Sequence, residues 1–280
     1  MSSSESNLRS AAQATPYPSV PKKWACGMTT VSERRSSGLL LRSLASLRAA
    51  GFDDVRLFVD GPSLEETCGC EATFRTGPRL RTVGNWFLAA FELLVRNPVA
   101  ERFAVFQDDL TASKNIRQYL DAIAWPDMAY LNLYTCRKNE KVIHGKPPGF
   151  ILGASLESDS YPSDWQRGLG ALALCFTRNA LITLIQHPHT CRKITDIGLD
   201  TQGGENGQPR TYSDGSKRLM GQVRVDGAIV TAMNLSGWHE WVHAPSLVQH
   251  TGDQSSMGNG RHPPAESFRG EDFDCLSLLK

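Results

Sequence analysis

Short apolar runs alternate with segments of helical period along most of this chain. Residues 23–31 (KWACGMTTV) form a compact apolar run. The next segment, 36–51 (SSGLLLRSLASLRAAG), sets Leu40, Leu44 and Leu47 at helical spacing and ends at Gly51, so it predicts a helix. VRLFVDGP (55–62) predicts a second strand, stopped by Asp60, Gly61 and Pro62. After a loop-like stretch at 63–82, residues 83–98 (VGNWFLAAFELLVRNP) predict a helix that Asn97 and Pro98 end. A strand (RFAVFQDDL, from 102), a helix (115–125) and another strand (128–135) follow. That alternation predicts an α/β fold with a central, mostly parallel sheet and helices on both faces.

The second half is less regular. Residues 136–165 are polar and rich in Gly and Pro, and 165–187 run from strand into helix. Residues 195–222 predict a long functional loop, 225–238 a helix opened by Asp226, and 240–250 a late strand. Residues 1–22, rich in Ser, Ala and Pro, predict a disordered leader. With no internal repeat or dividing linker, 23–260 are expected to form one domain, with 261–280 as a tail packed on it.

Composition narrows the partners. The hydrophobic fraction of 40% suits a globular core, and a formal net charge of +1 supplies no global pull toward nucleic acid or an anionic membrane. Local basic clusters remain, at Arg75, Arg79 and Arg81 and at Arg137, Lys138 and Lys141. The seven scattered cysteines suit buried free thiols in a reducing compartment. No apolar stretch reaches the ~20 residues of a membrane span and the N-terminus has no signal-peptide core, so a soluble, cytoplasmic protein with no membrane partner is expected.

The chemistry gathers at strand ends. In an open α/β sheet ligands bind outside the carboxyl ends of the strands, where Asp60 and the Asp108–Asp109 pair are placed. Alternation turns one of two adjacent carboxylates inward, where it needs a partner or a metal. A strand-end turn with a helix cap is the plainer account of the same residues. Asp226 opens a helix and His250 closes a late strand; carboxylates with one imidazole suit Mn²⁺ or Mg²⁺. Nucleophile elbow, P-loop and dinucleotide fingerprint are all missing, and Gly168-Leu169-Gly170 is too short for the last.

FQDDL, RGLGALAL, RVDGAIVTAMN and PSLVQHTGDQSSMG, in this order, resemble the GT-A fold glycosyltransferases over residues 23–260. The last stretch is most similar to N-acetylglucosaminyltransferases that branch N-glycans. The resemblance implies a nucleotide-sugar donor, with a UDP-sugar foremost, and a divalent cation. FQDDL looks like the family's D-x-D motif with Gln107 in place of its first acid. Asp109 and His250 are then implied as metal ligands and Asp108 as a helper on the donor side. Gly170 belongs to a glycine loop before a sugar-facing strand, and Asp226 matches the catalytic base of inverting members. Thr30, Arg35 and Asp60, on the first two strands and the turn between them, are implied donor contacts, Arg35 facing the diphosphate and Asp60 the nucleoside.

The expected function is therefore metal-dependent transfer of a sugar to an acceptor hydroxyl, with inversion. A hydroxymethylated base in DNA is the alternative acceptor, with the two basic clusters holding phosphates. A GT-A domain without catalysis is a rival of another class, favoured by Gln107. A nucleotidyltransferase is a third, but MTTVSERRSSG is a poor match to its loop. Trp238, Trp241, His239 and His243 are candidates for an acceptor pocket or for plain packing, and Glu240 is a second candidate base.

Overall fold

The first apolar run becomes β1 (Trp24–Val31), an interior strand flanked in parallel by β2 (Val55–Asp60) and β4 (Arg102–Gln107). Six of its eight residues are buried, as a strand covered on both faces requires. The computed structural model describes residues 22–33, 38–135, 138–153, 170–191, 209–211, 217–219, 225–251 and 264–280. Around β1 the main sheet has eight strands in the order β3-β2-β1-β4-β8-β6-β11-β7. Here β3 is Ala72–Arg75, β6 Ala129–Asn132, β7 Gly149–Leu152, β8 Ala173–Thr177 and β11 His239–Ala244. Only β8 and β7 run against the others, so the sheet is mixed but mostly parallel, as expected.

Helices cover both faces. On one lie α1 (Leu39–Ala49) and α3 (Ile116–Ala122), whose Leu40, Leu44, Leu47, Ile116 and Leu120 join Met28, Leu57 and Phe106 in one apolar cluster. On the other lie α2 (Arg81–Arg96), α5 (Arg178–Gln186) and α6 (Val225–Leu235), which bring Trp86, Phe87, Leu181 and Ile229 against Phe58, Phe103 and Tyr130. Each such fully buried large side chain contributes roughly 1.5–3 kcal/mol. A short helix α4 (Lys138–Ile143) stands beside β11. At the C-terminus a 3₁₀ turn (Cys275–Leu279) lies against α3, with Cys275 Sγ buried.

Several boundaries differ from the periodicity. β3 and β7 fall in stretches read as loop-like or polar, because each is an edge strand of only four residues and the apolar run of β7 (GFIL) is set among Gly and Pro. The expected strand over 240–250 divides at Pro245 into β11 and β12 (Val248–His250), since proline has no N–H to continue a ladder. RFAVFQDDL likewise divides. β4 ends at Gln107, and Leu110–Ala112 form β5, which leaves the main sheet and pairs antiparallel with β12. Of the expected loop at 195–222, only β9 (Pro209–Thr211) and β10 (Lys217–Leu219) lie within the described residues, as an antiparallel pair. All described cysteines are free, and no described helix is long and apolar enough to cross a membrane.

β11 also carries a buried titratable group. His243 is fully enclosed; its Nδ1 lies 2.6 Å from the Pro245 carbonyl and its Nε2 2.8 Å from the Tyr119 hydroxyl. A carbonyl only accepts, so Nδ1 carries the proton and Nε2 accepts from Tyr119. Burial pulls its pKa down from 6.5 to about 4. The unfolded chain therefore binds this proton at a higher pH than the folded one, and stability falls as pH drops from 6.5 toward 4. The full loss is about 3 kcal/mol at ~1.4 kcal/mol per pH unit. Urea unfolding at pH 7 and pH 4.5 checks this; an equally steep decline in His243→Gln would assign the acid sensitivity to other groups.

Candidate active site at the carboxyl edge of the sheet

The Asp108–Asp109 pair sits where β4 ends and the chain turns into β5. Two serines of α1 hold that turn. Ser43 Oγ takes the Leu110 N–H at 3.0 Å and lies 3.0 Å and 2.8 Å from the carbonyls of Asp108 and Leu110. Ser46 Oγ takes the Ala112 N–H at 2.6 Å. Both serines are buried in an otherwise leucine-rich face, where they supply the backbone partners that β5 lacks on that side. Neither was singled out from sequence, because Ser within a helical period reads as neutral.

The two carboxylates then part, as alternation requires. Asp108 turns to β1, where the Thr30 hydroxyl donates to its Oδ2 at 2.5 Å. These two candidate donor contacts are thus partners of each other. Asp109 turns to β12, and its Oδ2 lies 3.5 Å from His250 Nε2, both side chains being over nine-tenths buried. The β5–β12 register, with His250 opposite Leu110, brings together residues 141 positions apart, and the Thr251 N–H bonds the Asp109 carbonyl at 2.9 Å.

Hard oxygen and imidazole nitrogen are the donor types that Mn²⁺ and Mg²⁺ accept. Two ligands each ~2.1 Å from one cation, at angles between a right angle and a tetrahedral one, stand about 3.0–3.4 Å apart. The observed 3.5 Å lies just beyond the upper end of that span. Among the described residues no group of three or more His, Cys, Asp or Glu converges.

A second cluster stands two strands away. Asp226, in the first turn of α6, accepts from the Gly227 N–H at 2.9 Å and from the Gly170 N–H at 3.2 Å, and it is partly exposed. Gly170 has φ +105°, where a side chain is strained, and a Cβ there would stand 3.0 Å from the Tyr134 ring. Its carbonyl accepts from Asn132 Nδ2 at 3.0 Å, and the same amide donates to Glu240 Oε1 at 2.9 Å. Asn132 closes β6 and is fully buried. Two features separate the candidate bases: Glu240 is 2% exposed behind Asn132, whereas Asp226 reaches the edge. Tyr134 connects the two clusters, its ring packed at Gly170 and centred 6.4 Å from His250. Asn132 and Tyr134 went unnoticed in the sequence because both lie inside an apolar strand pattern.

The remaining expectations divide. Asp60 is 1% exposed and takes the N–H groups of Leu80 and Arg81 at 3.0 Å and 2.8 Å, capping α2 from the end of β2. It thus anchors a helix start. Arg35, Gly168 and the residues after Thr251 in PSLVQHTGDQSSMG lie outside the described residues. Trp241 packs in the core beside α3's cluster and Trp238 against that of α6. In the first basic cluster, Arg75 bonds Asn85 and Glu92, and Arg79 pairs with Glu33 and Asp60.

No protein-family model and no curated protein matches this chain in sequence. Among solved structures, GalNAc-T7 with UDP, GalNAc and Mn²⁺ is similar in fold, with a TM-score of 0.50 at 10% identity. The match covers 94% of this chain and 48% of that one, so the chain spans about half the length of that structure. The apo bifunctional glycosyltransferase WbbM gives a TM-score of 0.34 at 11% identity over 61% of this chain and 35% of its own.

Proposed function

We propose that the protein is a metal-assisted glycosyltransferase that moves a sugar from a nucleotide-sugar, foremost a UDP-sugar, to an acceptor hydroxyl with inversion. The observation that carries this reading is the Asp109–His250 pair, 3.5 Å apart at the carboxyl edge of the sheet, with Asp226 on the same edge. The fold shared with GalNAc-T7, a structure holding UDP, GalNAc and Mn²⁺, supports it.

Asp109 and His250 are the residues that hold a divalent cation in this reading. When bound, such an ion neutralises charge on a departing diphosphate. The chain's own residues do the rest. Asp226 accepts the acceptor hydroxyl's proton while that oxygen bonds to the anomeric carbon and the bond to the diphosphate oxygen breaks. The N–H groups of Gly170 and Gly227 hold the carboxylate in place. Asn132 pins the Gly170 carbonyl and so holds the loop that carries the donor to Asp226. Thr30 keeps Asp108 turned away from Asp109, which separates two negative charges.

A modified base in DNA as acceptor gains little from the first basic cluster, because Arg75 and Arg79 already have acidic partners in the fold. A thermal-shift screen of UDP-, GDP- and ADP-sugars with Mn²⁺ tests the main reading. A true donor at a hundredfold excess over its Kd stabilises by about 2.7 kcal/mol, which is several degrees. No shift with any of them removes the proposal. Slow donor hydrolysis by the nucleotide-sugar that binds distinguishes an enzyme from a domain that only binds.

A further inference from the structure

A cavity of about 620 Å³ opens beside β11, α4 and the C-terminal tail. Its floor is apolar, with Ile143, Ala244 and Pro245, and its rim carries Lys141, Lys146 and Arg269. Neither lysine nor the arginine makes an ion pair among the described residues. Arg269 is steadied instead over the Phe273 ring at 4.9 Å. Of the two acids at the cavity, Glu140 is already used. Its Oε1 takes the N–H and the hydroxyl of Ser267 at 3.1 Å and 2.9 Å, which ties the tail to α4 and closes one wall. Three cations against two carboxylates leave the rim a net charge of +1, which favours a negative guest.

The cavity's place in the fold says more. β11 and β4 run in the same direction, so Ala244 at the end of β11 lies on the same sheet edge as Gln107. Three strand spacings separate them, about 14 Å. Glu240, Val242 and Ala244 alternate onto one side of β11, the side from which Glu240 meets Asn132. Along this edge the order is therefore the Asp109–His250 pair by β4, Asp226 and Gly170 by β8 and β6, then the cavity by β11. The base stands between the cation pair and the cavity.

We propose that this cavity is the acceptor subsite and that it selects a small organic acceptor bearing a phosphate or carboxylate. The proposal rests on the glycosyltransferase reading, since it takes Asp226 as the base between donor and acceptor. The volume lies in the range of ligand pockets, about 300–1,000 Å³, and a bare inorganic anion would leave most of it to water. An apolar floor suits the carbon-bearing face of a sugar or similar ring, and fixed cations suit its anionic group. Charge-assisted contacts of this kind are screened by salt, so the preference should weaken as ionic strength rises.

Calorimetric titration of the full chain with glucose 6-phosphate, glucuronate, glucose and inorganic phosphate tests it. Glucose 6-phosphate or glucuronate is expected to bind at least about tenfold more tightly than glucose, a difference of ~1.4 kcal/mol. Which of the two binds decides between phosphate and carboxylate. The Lys146→Glu/Arg269→Glu double variant, altered only at exposed side chains, is expected to lose that preference while unfolding at the same temperature. Equal affinity for glucose and its anionic forms overturns the proposal, as does a preference that survives in the double variant. Inorganic phosphate binding as tightly as glucose 6-phosphate also overturns it, because the cavity would then be a bare anion site. Failure of every nucleotide-sugar to bind in parallel titrations sinks the glycosyltransferase reading instead, whatever the anion result.

Discussion

Asp109→Ala is expected to abolish nucleotide-sugar turnover, by ~10³-fold or more, while the protein still folds. Loss of a single donor to developing charge already costs 10²–10³ in kcat, and in the proposed reading the carboxylate that would anchor a whole cation is removed. Folding should survive because β5 and β12 are joined through the backbone, from His250 opposite Leu110 to the Thr251 N–H on the Asp109 carbonyl. Truncating the side chain leaves those bonds in place. His250→Ala is expected to act in the same direction. The check is threefold: turnover with Mn²⁺, the unfolding temperature without ligand, and the temperature shift produced by donor plus Mn²⁺. A variant that keeps its unfolding temperature but loses both turnover and shift fits the assignment. Retained turnover in Asp109→Ala rules the carboxylate out as a metal ligand.

Asp226→Asn is expected to lower kcat by 10²–10⁴, the usual contribution of a positioned base, with donor affinity little changed. The amide keeps an oxygen for the Gly227 N–H, now 2.9 Å from Oδ1. Its NH₂ would then face the Gly170 N–H in place of Oδ2, losing one hydrogen bond worth about 0.5–1.5 kcal/mol. A small fall in stability therefore accompanies the large fall in rate, and the two are separable by denaturation. Glu240 cannot readily take over, because it is buried behind Asn132. Near-normal turnover in Asp226→Asn would thus remove the inverting mechanism rather than move the base.

Much of the fold was legible in the chain itself. Leu40, Leu44 and Leu47 at helical spacing, and short apolar runs ending in Asp or Gly, carry their own geometry, since period and burial are properties of neighbouring residues. The same local logic placed Asp60, Asp109 and Asp226 at element ends. What each does there was a matter of distant partners. Asp60 caps α2, about twenty residues on; Asp108 meets Thr30; and Asp109 meets His250 only because β5 leaves the sheet to pair with β12. The separation of Asp226 from Glu240 as candidate bases, and the part played by Asn132 between them, were likewise decided by strand order, which puts β8 beside β6 and β6 beside β11. Hydrophobic period is written within one element, so sequence alone determined the longer elements and the edge at which the polar groups collect. Hydrogen bonds between elements depend on register and on which strands are neighbours, so only the tertiary structure decided which of those groups face one another.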